Sequence, residues 1–181
     1  MAQPETHRVS GTWRLESFYH TVVNVRDLDE SVAFYRLFGF EILNDRRKVD
    51  WPDFVATIFG MKRAKGRGVL MVLPSDPDGP MIDLIDWLEP KAAFPDPSQA
   101  AEVVPRIIAF RTKGVHAAHA ELTAKGVKFC RDVFVPGEDL GLVGSCCCYD
   151  PNGNLIELIE LQPGVRHSKA NEALLRRGEG S

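Results

Sequence analysis

The chain has 181 residues, 44% of them apolar, with a formal net charge of −3 and a pI near 6.0. That is enough to bury the core of one compact unit or two very small ones. The mild acidity argues against nucleic acid or an anionic membrane as partner. No apolar run approaches the roughly 18 residues of a membrane span, and the polar start MAQPETHRVSG does not read as a signal peptide. Three of the four cysteines are consecutive (Cys146, Cys147, Cys148). Neighbouring strand residues face opposite ways, which makes a poor disulfide framework, and zinc-type cysteine pairs are absent. The expectation is a reduced, cytoplasmic protein.

In chain order, residues 1–15 read as an N-terminal arm. Residues 20–25 form a β-branched run headed by His20, followed by an amphipathic helix with apolar positions at Val32, Phe34, Tyr35 and Phe38. Asp27 or Asp29 caps that helix, Glu30 sits at its positive end, and Gly39 ends it ahead of a strand at 40–44. Residues 50–61 (DWPDFVATIFGM) suggest a short helix with Pro52 near its first turn. The basic stretch 62–67 (KRAKGR) reads as a solvated loop before strands at 69–73 and 81–87, with Asp76-Pro-Asp-Gly79 turning between them. Residues 88–103 carry Pro90, Pro95 and Pro97 and mark a linker. A second series follows: a strand at 106–112, a helix at 115–125 ended by Gly126, and strands at 127–130, 145–149 and 155–161. The chain from Pro163 reads as a helix fragment and a frayed tail. The implied organisation is an arm (1–15), a first module (16–90), a linker (91–103), a second module (104–162) and a tail (163–181).

The two halves are copies of one unit. Placing His20 on Ile107 brings Gly39 onto Gly126 with no gap, and Ile82-Asp83-Leu84-Ile85-Asp86 matches Ile156-Glu157-Leu158-Ile159-Glu160. Each matched strand follows an Asp-Pro-x-Gly turn. Each half is thus strand–helix–strand–strand–strand, and neither can bury both faces of its sheet alone. Strand alternation puts Val23, Val25, Ile82 and Leu84 against the helices. His20, Asn24, Asp83, Ile85 and Trp87 then share the opposite face, as do Ile107, Ala109, Arg111, Glu157 and Ile159 in the second half. Two carboxylates on a concave apolar face need a compensating cation or hydrogen bonds, and a divalent metal ion supplies that cation. Trp51, Phe54 and Trp87 form a candidate aromatic wall.

At this point the chain resembles the vicinal oxygen chelate superfamily, which includes glyoxalase I, methylmalonyl-CoA epimerase, bleomycin- and fosfomycin-resistance proteins and extradiol dioxygenases. The resemblance covers residues 18–162. It rests on HTVVNVRDLDESVAFY (20–35) and DPNGNLIEL (150–158). It implies an α+β fold, two tandem βαβββ modules forming a cupped, mostly antiparallel sheet with helices outside. It also implies metal-ligand positions at His20, Asp83, Ile107 and Glu157. Isoleucine cannot bind a metal, so the surviving set is His20, Asp83 and Glu157, one nitrogen and two oxygens. That set suits Zn, Mn, Fe, Ni or Mg with open positions for substrate.

The resemblance then implies a metal-dependent lyase, epimerase or isomerase acting on a small oxygenated, anionic substrate through an enolate or oxyanion. Glu157 moves the proton, and Asn24, Trp87, Ile107 and Arg111 line the substrate site. The one-nitrogen set fits an extradiol iron centre poorly. Asn24 stands where many glyoxalases have an arginine, so a glutathione substrate is not favoured. Arg111 either grips an anionic ligand or neutralises the carboxylates. The alternative reading is a metal-free small-molecule-binding protein of the drug-sequestering kind, and Ile107 favours it. In either case a homodimer is expected.

Overall fold

The computed structural model describes residues 15–94, 106–135 and 140–165. The first module runs β1 (His20–Asn24), α1 (Leu28–Leu37), β2 (Glu41–Asp45), α2 (Phe54–Ile58), β3 (Lys65–Val72) and β4 (Met81–Glu89). The second runs β5 (Ile107–Arg111), α3 (Val115–Ala124), β6 (Leu142–Tyr149) and β7 (Leu155–Leu161). Among the described residues these strands form two mixed sheets, ordered β1-β4-β3-β2 and β5-β7-β6. In each, the first strand lies parallel to the last and the remaining neighbours are antiparallel. The α+β architecture and the internal repeat are therefore as expected, although the modules form two sheets rather than one.

Local chemistry explains the elements. Asp27 caps α1 by accepting the Glu30 N–H at 2.9 Å, and Gly39 takes φ +89°, a conformation costly for any residue with a Cβ. Its repeat partner Gly126 takes φ +92° at the end of α3. The N-cap of α3 is Gly114, which has no side chain to offer. Glu160 of β7 does the work instead, accepting the Val115 N–H at 2.8 Å.

The helix-facing side of both sheets is one continuous core. Val23, Tyr35, Met71 and Leu84 of the first module join Val115, Cys146, Ile156 and Leu158 of the second. Burying each large aliphatic side chain contributes roughly 1.5–3 kcal/mol. The modules are also joined by hydrogen bonds between α1, with the loop that leads into it, and the turn before β7. Tyr35 Oη donates to Asp150 Oδ2 at 3.0 Å, Asn152 Nδ2 donates to Ser31 Oγ at 3.0 Å, and the Arg26 N–H donates to Asn152 Oδ1 at 2.8 Å.

Three expectations are corrected. Strand β3 begins at Lys65, so half of the basic stretch is strand and not loop. Helix α2 covers only Phe54–Ile58 and buries no residue. The expected strand at 127–130 is reduced to one isolated bridge, Phe129 with Cys148, and a second bridge, Phe134 with Ser145, follows beyond it. The chain bends between those bridges and lays Val133 over Gly144, where a Cβ would meet it at 2.8 Å. The arm at 1–14, most of the linker and the tail beyond 165 lie outside the described residues.

Candidate functional site

Strand register fixes which side chains share the face away from the helices. In the first sheet Val22 lies beside Asp83 and Asn24 beside Ile85, while Leu70, Gly68 and Gly66 of β3 stand opposite Asp83, Ile85 and Trp87. In the second sheet Ala109 and Cys147 flank Glu157, and Arg111 and Ser145 flank Ile159. The sequence repeat therefore placed its residues on the correct faces.

The first sheet also recruits a residue that the sequence reading missed. The Arg46 N–H donates to the Gly68 carbonyl at 2.8 Å, extending β2 by one position. From there the Arg46 side chain crosses β3 and its Nη2 forms an ion pair with Asp83 Oδ1. The path runs over Gly68, where a Cβ would stand 3.1 Å from Arg46 Nη2. Asp83 keeps 9% of its side-chain surface exposed and Arg46 keeps 33%. Burial pushes the Asp83 carboxyl above the usual carboxylate range, while the charges of Arg46 and His20 pull it back. His20 thus lies within electrostatic reach of Asp83. Its Nδ1 is buried without a hydrogen-bond partner, and so is Arg46 Nε.

Next to this cluster is an aromatic wall. Trp51 and Trp87 meet edge to face with centroids 5.2 Å apart, and Phe59 lies 6.1 Å from Trp87. Trp87 Nε1 donates to Asn24 Oδ1 at 2.9 Å, fixing the indole. Gly66 provides the floor, since a Cβ there would lie 2.8 Å from the Trp51 ring. Phe54, expected in the wall, is 61% exposed, and Phe59 stands in contact with Trp87 instead.

The second sheet is more open. Glu157 Oε1 accepts from Ser145 Oγ at 2.8 Å. Ile107 is 61% exposed. Arg111 donates to the Val165 carbonyl at 3.1 Å, and the cation beside Asp83 is Arg46 rather than Arg111. Cys147 shares the face of Glu157, and burial raises its thiol, as it raises Cys146 to about 11 and Cys148 to about 12. None of the three is poised as a thiolate nucleophile.

A divalent ion would need several of these donors at once. Among the described residues no group of three or more His, Cys, Asp or Glu side chains is placed to hold one. His20 lies within electrostatic reach of Asp83, but among the described residues the two form no ligand set with Glu157, and the cation facing Asp83 is a guanidinium. In this arrangement the residues do not fit a metal centre. Among the described residues, no helix is long and apolar enough to cross a membrane.

The fold has many solved relatives. A glyoxalase family protein from Bacillus cereus superposes with a TM-score of 0.67 at 19% identity, covering 85% of this chain and 99% of that one. A variant of the fosfomycin resistance protein FosX from Listeria monocytogenes, complexed with Mn(II) and a dihydroxypropylphosphonic acid, gives 0.56 at 16% identity over 83% and 95% of the two chains. TnmS3, an antibiotic binding protein from Streptomyces sp. CB03234, gives 0.57 at 22% identity over 83% and 99%. No curated protein matches the sequence. Residues 17–158 match the Glyoxalase/Bleomycin resistance protein/Dioxygenase superfamily, and the chain belongs to that family.

Proposed function

We propose that this chain is a small-molecule-binding member of its family, whose first-module cup holds a flat, anionic ligand without a metal ion. The observation that carries this reading is the Arg46–Asp83 ion pair. It supplies internally the positive charge that the buried carboxylate requires. Trp51 and Trp87 offer apolar ring surface, and the one-third-exposed guanidinium of Arg46 offers donors for an acidic or oxygenated group. Similarity in fold to an antibiotic binding protein supports the same reading.

Ligand binding is tested by tryptophan fluorescence, titrating the protein with a panel of aromatic carboxylates and phenols. Saturable quenching that is lost in Trp51→Ala supports the proposal. No saturable change across the panel in the folded protein counts against it.

A second reading is favoured by His20, whose buried Nδ1 has no partner beside a carboxylate. In that reading the protein is a metal-dependent lyase, epimerase or isomerase with Glu157 as base, as the presence of Mn(II) in the FosX relative suggests. It requires Arg46 to leave Asp83 and Glu157 to approach His20. A homodimer belongs to both readings. The open faces expose Val22, Ile107 and Tyr149, and a second copy laid across them would shield all three. A cytoplasmic location is part of the same proposal.

A further inference from the structure

We infer that Arg46 is the resident cation of the cup and excludes divalent metal ions from His20 and Asp83, so that removing its charge opens a cation site there. This rests on the metal-free reading above and goes beyond it by naming the residue responsible.

Three observations lead to this. First, the guanidinium occupies the Asp83 Oδ1 atom that an ion would need, and Asp83 is the buried member of the pair. Second, the backbone is shaped for the guanidinium. Position 68 is a glycine on the same face, and the Arg46 side chain crosses at the point where a Cβ would crowd it. Third, the match between guanidinium and pocket is incomplete. His20 Nδ1 and Arg46 Nε are both buried without partners. A guanidinium has only donors, so it offers no acceptor to a protonated Nδ1, and here it gives no hydrogen bond to an unprotonated one. A buried, unpartnered imidazole nitrogen therefore lies within electrostatic reach of a carboxylate that has a fixed positive charge against it. A divalent ion brought to Asp83 would meet that charge at contact distance, in a site where water screens it weakly.

The experiment compares Mn(II) and Zn(II) binding by calorimetry and thermal shift in the wild type, Arg46→Gln, Arg46→Met and Arg46→Lys. Arg46 is one-third exposed and lies just beyond the end of an edge strand, so these variants are expected to fold. Circular dichroism checks that they do. The neutral variants are expected to bind the ions on the order of a hundredfold more tightly than the wild type. Arg46→Lys, which keeps the charge, is expected to bind as weakly as the wild type. Adding His20→Ala to a neutral variant is expected to abolish the gain. Folded neutral variants that bind no better than the wild type overturn the inference while leaving the metal-free reading intact. A wild type that already binds one ion tightly overturns both.

Discussion

Arg46 reaches Asp83 across an intervening strand because position 68 carries no side chain. The carboxylate is nearly buried and the guanidinium is one-third exposed. The pair therefore lies between a surface ion pair, worth up to about 1 kcal/mol, and a buried one, whose rupture costs about 3–5 kcal/mol.

A double-mutant cycle over Arg46→Met and Asp83→Leu should accordingly give a coupling energy of about 1–3 kcal/mol. Arg46→Met alone should destabilise more than the double variant, because it leaves the carboxylate buried and unpaired. Chemical denaturation measures all four corners of the cycle. Additive effects would mean that the pair contributes nothing.

Gly66 is the corresponding floor position beneath Trp51. A Cβ there would come within 2.8 Å of the indole and 3.2 Å of the Asp86 carbonyl, so Gly66→Ala must displace the ring. The expected cost is about 1–3 kcal/mol, accompanied by a shift in tryptophan emission. Unchanged stability and emission would show that the Trp51–Gly66 packing is loose.

Tyr35 and Asp150 tie the two modules together in the core. Burial and the neighbouring carboxylate push the Tyr35 hydroxyl well above its ordinary range, so it remains a neutral donor. Asp150 also accepts from the Asn152 N–H, the Asn154 N–H and Asn154 Nδ2. Tyr35→Phe removes only one of these donors and should cost about 1–2 kcal/mol. Asp150→Ala removes the shared acceptor and should cost more. If Tyr35→Phe were the more damaging of the two, the hydroxyl would have a role beyond this bond.

Stability should also depend on pH through Glu160. The Gly114 and Val115 N–H groups hold its carboxyl below the usual range. A depressed folded-state pKa gives stability that is present above the unfolded value, near 4.5, and is lost as pH falls through the folded value. Glu160→Gln should therefore lower the melting temperature at pH 7, with a cost of roughly 1 kcal/mol typical of a lost helix cap. The deficit should shrink toward pH 3. A deficit independent of pH would assign the role to shape and not to charge.

What the sequence revealed follows from its repeat. Once His20 lies on Ile107 and Asp83 on Glu157, strand alternation places both carboxylates and Trp87 on the faces away from the helices, and the structure agrees. Buried positions such as Val23, Leu84 and Ile156 were legible for the same reason. Arg46 was not legible, because it lies outside the repeated strands and contacts Asp83 from two strands away. The available signal was Gly66-x-Gly68, two glycines on one strand face that leave room for two large side chains. Gly66 falls within the basic stretch 62–67, which made it read as loop. The segment at 127–130 keeps only the Phe129–Cys148 bridge, and the chain beyond it packs Val133 against Gly144, long-range contacts that no local propensity reports.

The most direct test of the account is the metal content of the untagged protein, purified after growth with supplemented divalent ions and measured by elemental analysis beside His20→Ala. Substoichiometric metal is expected in both proteins, since Arg46 already neutralises Asp83. One tightly held ion per wild-type chain, lost in His20→Ala, would contradict it and establish His20 as a metal ligand.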